Sequence, residues 1–101
     1  MKQIKLEARE RTAQILKAAL QVAARVGYTN LKRDDVAKAA GISASLVPYH
    51  MGTMTEFRRS VMREAVRTGH LPVIAQGIAN RDRQALKAPE EVRQRAIQSL
   101  K

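Results

Sequence analysis

The side chains of this chain that could do chemistry are mostly hydrogen-bond donors and cations. Ser43, Ser45, Tyr49, His50 and Thr53 crowd hydroxyl, phenol and imidazole groups into one short segment, with Lys32 and Arg33 shortly before it. Lys and Arg number 19 against 9 Asp and Glu, giving a net charge of +10 over 101 residues. Donors in so basic a chain suit contact with the oxygens of a polyanion. Bond-making is not indicated. There is no Gly-rich phosphate loop, the carboxylates occur as adjacent surface pairs, and serine and histidine form no triad-like set. With only His50 and His70 and no cysteine, a metal site has no support. The chain reads as a non-enzyme without a cofactor.

Composition narrows the polyanion. One Phe, two Tyr and no Trp are too few aromatic faces to stack single strands. No apolar run approaches the ~18 residues that span a bilayer. The basic residues are spread over several helices instead of forming one strongly amphipathic face, so no membrane partner is expected. The absence of cysteine suits a reducing compartment, and Met1-Lys2 opens a charged stretch without a secretory signal. A polyanion other than single strands or a membrane, and a cytoplasmic location, are the expectations at this point.

Helices must position these groups. Ile15, Leu16, Ala19, Leu20, Ala23 and Val26 recur at three- and four-residue steps and predict a first helix from about Arg9 to Val26, stopped by Gly27. Asn30 is a candidate cap for a second helix over Lys32–Ala40, with Asp34 and Asp35 in its first turn. A short third helix is expected over Ala44–His50, broken by Met51-Gly52. Thr53 and Glu56 form a capping box ahead of a fourth helix over Met54–Thr68, closed by Gly69 with Arg67 near its last carbonyls. Two further helices are expected, Pro72–Leu86 and Pro89–Leu100, each with proline at a first helical position. The class is all-α.

The stretch Val36–Val47 has the spacing of a helix-turn-helix, the device that lays a short helix in the DNA major groove. Ala37 is small where two helices approach, and Gly41 suits the left-handed stop between them. Ser43 is a candidate cap for the second of the pair, and Val47 would plug that helix onto the first. The same spacing also fits an ordinary helical hairpin with a Gly turn.

With the helices in place, Ala13–Val66 resembles the N-terminal domain of the tetracycline-repressor (TetR) family. The resemblance rests on Val26-Gly27-Tyr28, on D-D-V-A-K-A-A-G-I-S, on L-V-P-Y-H-M-G-T, and on a following amphipathic helix that starts T-E-F. It implies a three-helix DNA-binding head whose third helix reads DNA, and a fourth helix linking it to a ligand-binding and dimerisation domain. Family members usually continue for more than a hundred further residues, so a short form without that domain is expected, and no small-molecule inducer. Such a regulator would suit a plasmid or phage. Pro48 stands where the family commonly has an aromatic, and predicts a local kink in the third helix. Leu31, Lys32 and Arg33 make the start of the second helix unusually basic.

The candidate DNA-contacting residues are therefore Lys32, Arg33, Ser43, Ala44, Ser45, Tyr49, His50 and Thr53. Hydroxyls at 43 and 45 would meet bases or phosphates with little discrimination, and Ala44 a thymine methyl. Tyr49 could donate to a phosphate or simply pack, and His50 is expected to pack near the helix end. Arg33 has Asp34 and Asp35 as alternative partners. The backbone N–H of Thr53 lies at a helix start suited to an anion. Lys2, Lys5 and Arg9 read either as an arm on the backbone or as a solvated tail. Arg58, Arg59 and Arg63 read as solvated or paired with acids, as do Arg81, Arg83, Arg93 and Arg95.

The resulting expectation is a repressor acting as a homodimer on a palindromic operator, with residues 1–68 as head and linking helix and 69–101 as a dimerisation segment. That segment holds Val73, Ile74, Ile78, Leu86, Val92, Ile97 and Leu100, which a monomer would leave partly wet. A low-specificity DNA-organising or replication-accessory protein is one alternative, and a protein-interaction or antitoxin-like subunit another. The charge balance yields a first prediction. Affinity for duplex DNA should fall by roughly 10³–10⁵ between about 50 and 200 mM salt if 6–10 phosphates are contacted. A binding isotherm that is flat across this range would exclude an electrostatic interface.

Overall fold

A computed structural model describes the backbone of residues 2–100 and the side chains of residues 7–100. Helices α1 (Lys2–Val26), α2 (Arg33–Ala40), α3 (Leu46–Met51) and α4 (Met54–Thr68) are followed by α5 (Leu71–Ala79), α6 (Arg83–Leu86) and α7 (Glu90–Gln98). A single 3₁₀ turn, Tyr28–Asn30, joins α1 to α2, and there is no strand among the described residues.

The apolar stripe of α1 is the spine of the core. Ile15, Ala19, Val22 and Ala23 are completely buried, and α2, α3 and α4 pack against them through Val36, Val47, Phe57 and Val61. α1 reaches back to Lys2, earlier than its periodicity indicated, because the charged stretch before Arg9 contains no breaker. Asn30 does not cap α2. Its Nδ2 donates to the Val26 carbonyl at 2.7 Å and so serves the end of α1, while Lys32 precedes α2 without a side-chain cap. Gly41 ends α2 at φ 71°, allowing the Ile42 N–H to reach back to the Ala37 carbonyl at 3.0 Å.

Two expectations for the C-terminal third are corrected. The helix expected over Pro72–Leu86 is two helices, because Arg81 takes φ 55° and the chain turns. The Asp82 N–H closes α5 on the Gly77 carbonyl at 2.8 Å, and Asp82 Oδ1 then caps α6 by accepting from Gln84 N and Ala85 N. With no glycine at the turn, only Asp82 marked it. Pro89 likewise precedes α7 instead of opening it. The second correction concerns burial. Val73 and Ile74 are fully buried in the same core as the head, and Ile78 and Val92 pack at its edge. Only Leu86, Ile97 and Leu100 of the expected wet set stay exposed.

A polar network ties this segment to the first turn. Gln76 accepts from Tyr28 N and donates to the Ala23 carbonyl, both at 2.8 Å. The Tyr28 hydroxyl donates to Asp82 Oδ2 and accepts from Asn80 Nδ2, both at 3.0 Å. Desolvation at this buried site pushes the Tyr28 phenol above its usual pKa, and the Asp82 carboxylate adds to the shift against the bond from Asn80.

The tightest contact lies at Gly77, where a Cβ would come within 2.6 Å of both Ala85 Cβ and Met62 Cε. Gly77→Ala should therefore cost about 1–3 kcal/mol by overpacking. Tyr28→Phe, which leaves Asn80 and Asp82 short of a partner, should cost about 1–3 kcal/mol. Thermal melts by circular dichroism check both. Unchanged midpoints would mean that the segment is not docked on the head.

Candidate nucleic-acid interface

α3 is too short to persist alone and exists because it is held. Val47 is 1 % exposed and Met51 is also buried, so one face of α3 is pinned between α1, α2 and α4. The opposite face presents Tyr49, which is 80 % exposed.

Pro48 decides where this helix starts. Lacking an N–H, it cannot bond the Ala44 carbonyl, which instead accepts from Val47 N at 3.2 Å, while Ser43 O accepts from Leu46 N at 3.1 Å. The lead-in is thus a tight turn, and α3 begins at Leu46, not at Ala44. Pro48 falls in the first turn, where its missing donor has little consequence, and the expected kink becomes a delayed start. Ser43 is not a side-chain cap. Its Oγ lies 3.0 Å from Ser45 Oγ, so the two hydroxyls share one hydrogen bond on an exposed turn. Ala44 between them is half-buried.

Tyr49 and His50 meet edge to face with ring centroids 4.9 Å apart. With Leu46 they line a cleft of about 500 Å³ whose other wall is the N-terminal part of α1, including Glu10, Arg11 and Gln14. Gln14 Nε2 fixes that wall by donating to the Ala40 carbonyl at 2.7 Å. His50 is half-buried there. Of the arm residues, exposed Arg9 belongs to the continuous helix α1, and the side chains of Lys2 and Lys5 lie outside the described residues.

Lys32 and Arg33 are exposed and line, with Met54 and Arg58, a second cleft of about 400 Å³ between the start of α2 and the start of α4. Arg33 forms no ion pair with Asp34 or Asp35; the ion pairs among the described residues are Arg67–Glu64 and Arg95–Glu91. Arg67 stands in the last turn of α4, as expected, and also pairs with Glu64, holding its carboxyl below the usual range. Sequence alone reads Arg58 as a solvated or paired residue. It is half-buried and joins the basic pair, and its position two residues past Glu56 of the capping box is the signal available.

Thr53 forms the whole capping box. Its hydroxyl accepts from Glu56 N at 3.1 Å, and its own N–H donates to Glu56 Oε1 at 3.0 Å. The N–H expected to be open to an anion is therefore engaged by a carboxylate of the same chain. The bond from the Thr53 backbone N–H foremost, and the Thr53 side chain after it, hold the Glu56 carboxyl below its usual range. Among the described residues no three His, Asp or Glu side chains are grouped as metal ligands, and no helix is long and apolar enough to cross a membrane.

Helices α1 to α3 with the first half of α4 thus make a helix-turn-helix head. Residues 15–61 match the family model of bacterial regulatory proteins, tetR family, and this part of the chain is a TetR-type N-terminal helix-turn-helix domain. That domain is the hallmark of DNA-binding transcription regulators. No curated protein and no solved structure matches the chain.

Two variants test the local accounts. Val47→Asp would bury an unpaired charge and should unfold the head, whereas Tyr49→Ala should leave the melt unchanged. Because the Glu56 carboxyl is lowered, its contribution to stability is complete above the usual carboxylate pKa and disappears as pH falls through the lowered value. The difference in midpoint between wild type and Glu56→Gln should shrink accordingly in acid. A difference independent of pH would rule out the charged capping box as its source.

Proposed function

We propose that this protein is a sequence-specific, double-stranded DNA-binding regulator that represses transcription as a homodimer on a palindromic operator. The observation that carries the reading is the short helix α3. It is anchored by buried Val47 and Met51, leaves Tyr49 in solvent, and is flanked by the exposed cations Lys32 and Arg33. One such helix spans few base pairs, and a two-fold pair in successive major grooves would supply both affinity and a defined half-site spacing. Leu86, Ile97 and Leu100, which remain exposed at the C-terminal end, offer apolar surface for that pairing. Repression would be steric, by occupation of promoter DNA in a cytoplasmic setting, with no inducer required.

The contacts divide by chemistry. Lys32, Arg33 and Tyr49 would engage phosphates, while Ser43, Ala44 and Ser45 on the exposed lead-in would meet base edges. His50 and Thr53, partly covered or already bonded, would act at the margin. One observation favours a second reading, low-specificity DNA binding. The segment Ser43–Met51 contains no Arg, Asn or Gln for bidentate base recognition. Choice of site would then rest on DNA shape.

Selection of bound duplexes from a random library separates the two. Enrichment of a two-fold symmetric motif is expected; persistent binding without enrichment would replace the repressor reading with the low-specificity one. Within the selected site, Lys32→Ala should weaken binding to all sequences alike and lower the salt slope by about 1. Light scattering on the complex should show two chains per operator.

A further inference from the structure

Beyond the helix-turn-helix, the strongest charged feature is a cleft of about 610 Å³ between the 3₁₀ turn, α4 and α6. Its walls include Thr29, Thr55, Arg58, Arg59, Arg83 and Lys87. Four cations therefore face one cleft, and the single carboxylate there, Asp82, is turned to other work. Asp82 Oδ1 accepts from Gln84 N and Ala85 N, and its Oδ2 accepts from the Tyr28 hydroxyl. None of the four cations takes part in either ion pair of the described residues. The Nε of half-buried Arg58 is moreover buried without a hydrogen-bond partner. Four cations against the one carboxylate of the cleft, with Glu56 close to Arg59 at its edge, leave it net positive, and a polyanion laid along it relieves the remaining repulsion.

Arg58 also lines the neighbouring cleft with Lys32, Arg33 and one carboxylate, Asp34, so that cleft too holds more cations than anions. The two clefts share Arg58 and thus form one net-positive track, starting at the first turn of α2 and ending at Lys87, the residue that closes α6. We infer that this track is a second phosphate-binding surface. In it Arg58, Arg59, Arg83 and Lys87 hold the backbone of duplex DNA flanking the site read by α3, so that the C-terminal segment takes part in the footprint. The inference rests on the DNA-binding reading above and extends it to residues 83–87. The chemistry recognised is the phosphodiester alone, so the track adds affinity and length of contact without adding sequence choice.

Arg83 and Lys87 are exposed, and neither is part of the buried core, so their replacement leaves folding intact. The test compares Arg83→Gln/Lys87→Gln with a control of equal charge, Lys17→Gln/Arg95→Gln, on a duplex taken from the random-library selection. Wild-type protein should protect flanking backbone on this duplex in a hydroxyl-radical footprint. The double variant should lose that flank, keep the central protection, and lower the slope of log affinity against log salt by about 0.9 for each phosphate released. Arg83→Lys should restore most of the slope. A slope change no greater than the control's, or an unaltered footprint, would overturn the second surface while leaving the repressor reading in place. Absence of duplex binding by the wild-type chain at low salt would instead overturn the DNA-binding reading, and this inference with it.

Discussion

Everything the head presents to a partner depends on the burial of Val47 and Met51. A helix of six residues has no stability of its own, because the nucleus costs more than its few hydrogen bonds return. Full burial of a valine or methionine side chain is worth about 1.5–3 kcal/mol each. The anchor also sets orientation. With Val47 turned inward against α1, α2 and α4, Tyr49 is forced outward, and the lead-in serines stay on the surface.

Pro48 acts within that constraint. In the interior of a long helix it would be disruptive, but here it falls in the first turn and moves the start of α3 to Leu46. The lead-in carrying Ser43, Ala44 and Ser45 becomes a turn, which changes the direction of the hydroxyls and couples them to each other. A surface of small side chains is the result, able to fit closely but poorly equipped for bidentate base reading. The surrounding positive charge then carries a larger share of the interaction than it would beside an arginine-bearing helix.

The C-terminal helices are built into this arrangement. Val73 and Ile74 enter the core of the head, Gly77 lets α5 close on Met62 and Ala85, and the network around Tyr28 locks the turn after α1 to the turn after α5. Displacing this segment would uncover apolar surface on α4 and strand the polar groups around Tyr28. The same docking brings α6 and its cations alongside α4, so a structural contact also shapes the electrostatic surface.

The all-α class, the limits of α4 and the helix-turn-helix were legible in the chain because their signals are local. Apolar residues at three- and four-residue steps, Gly41 between two helices, and Thr53 with Glu56 each specify backbone geometry through neighbours a few positions away. Where the signal was local but ambiguous, tertiary structure decided. Ser43 and Asn30 have side chains suited to capping but bond elsewhere, and Asp82 breaks a helix that hydrophobic periodicity had run together. The sequence alone also set the surplus of positive charge and the scarcity of aromatic and base-reading side chains. It could not show which cations gather, because Arg33, Arg58 and Arg83 come from three separate helices, Lys32 from the lead-in to one of them and Lys87 from just past another. Only the packing of α4 against α6, and the cleft between the starts of α4 and α2, bring them together, since charge at distant positions carries no pairing rule until the chain is folded.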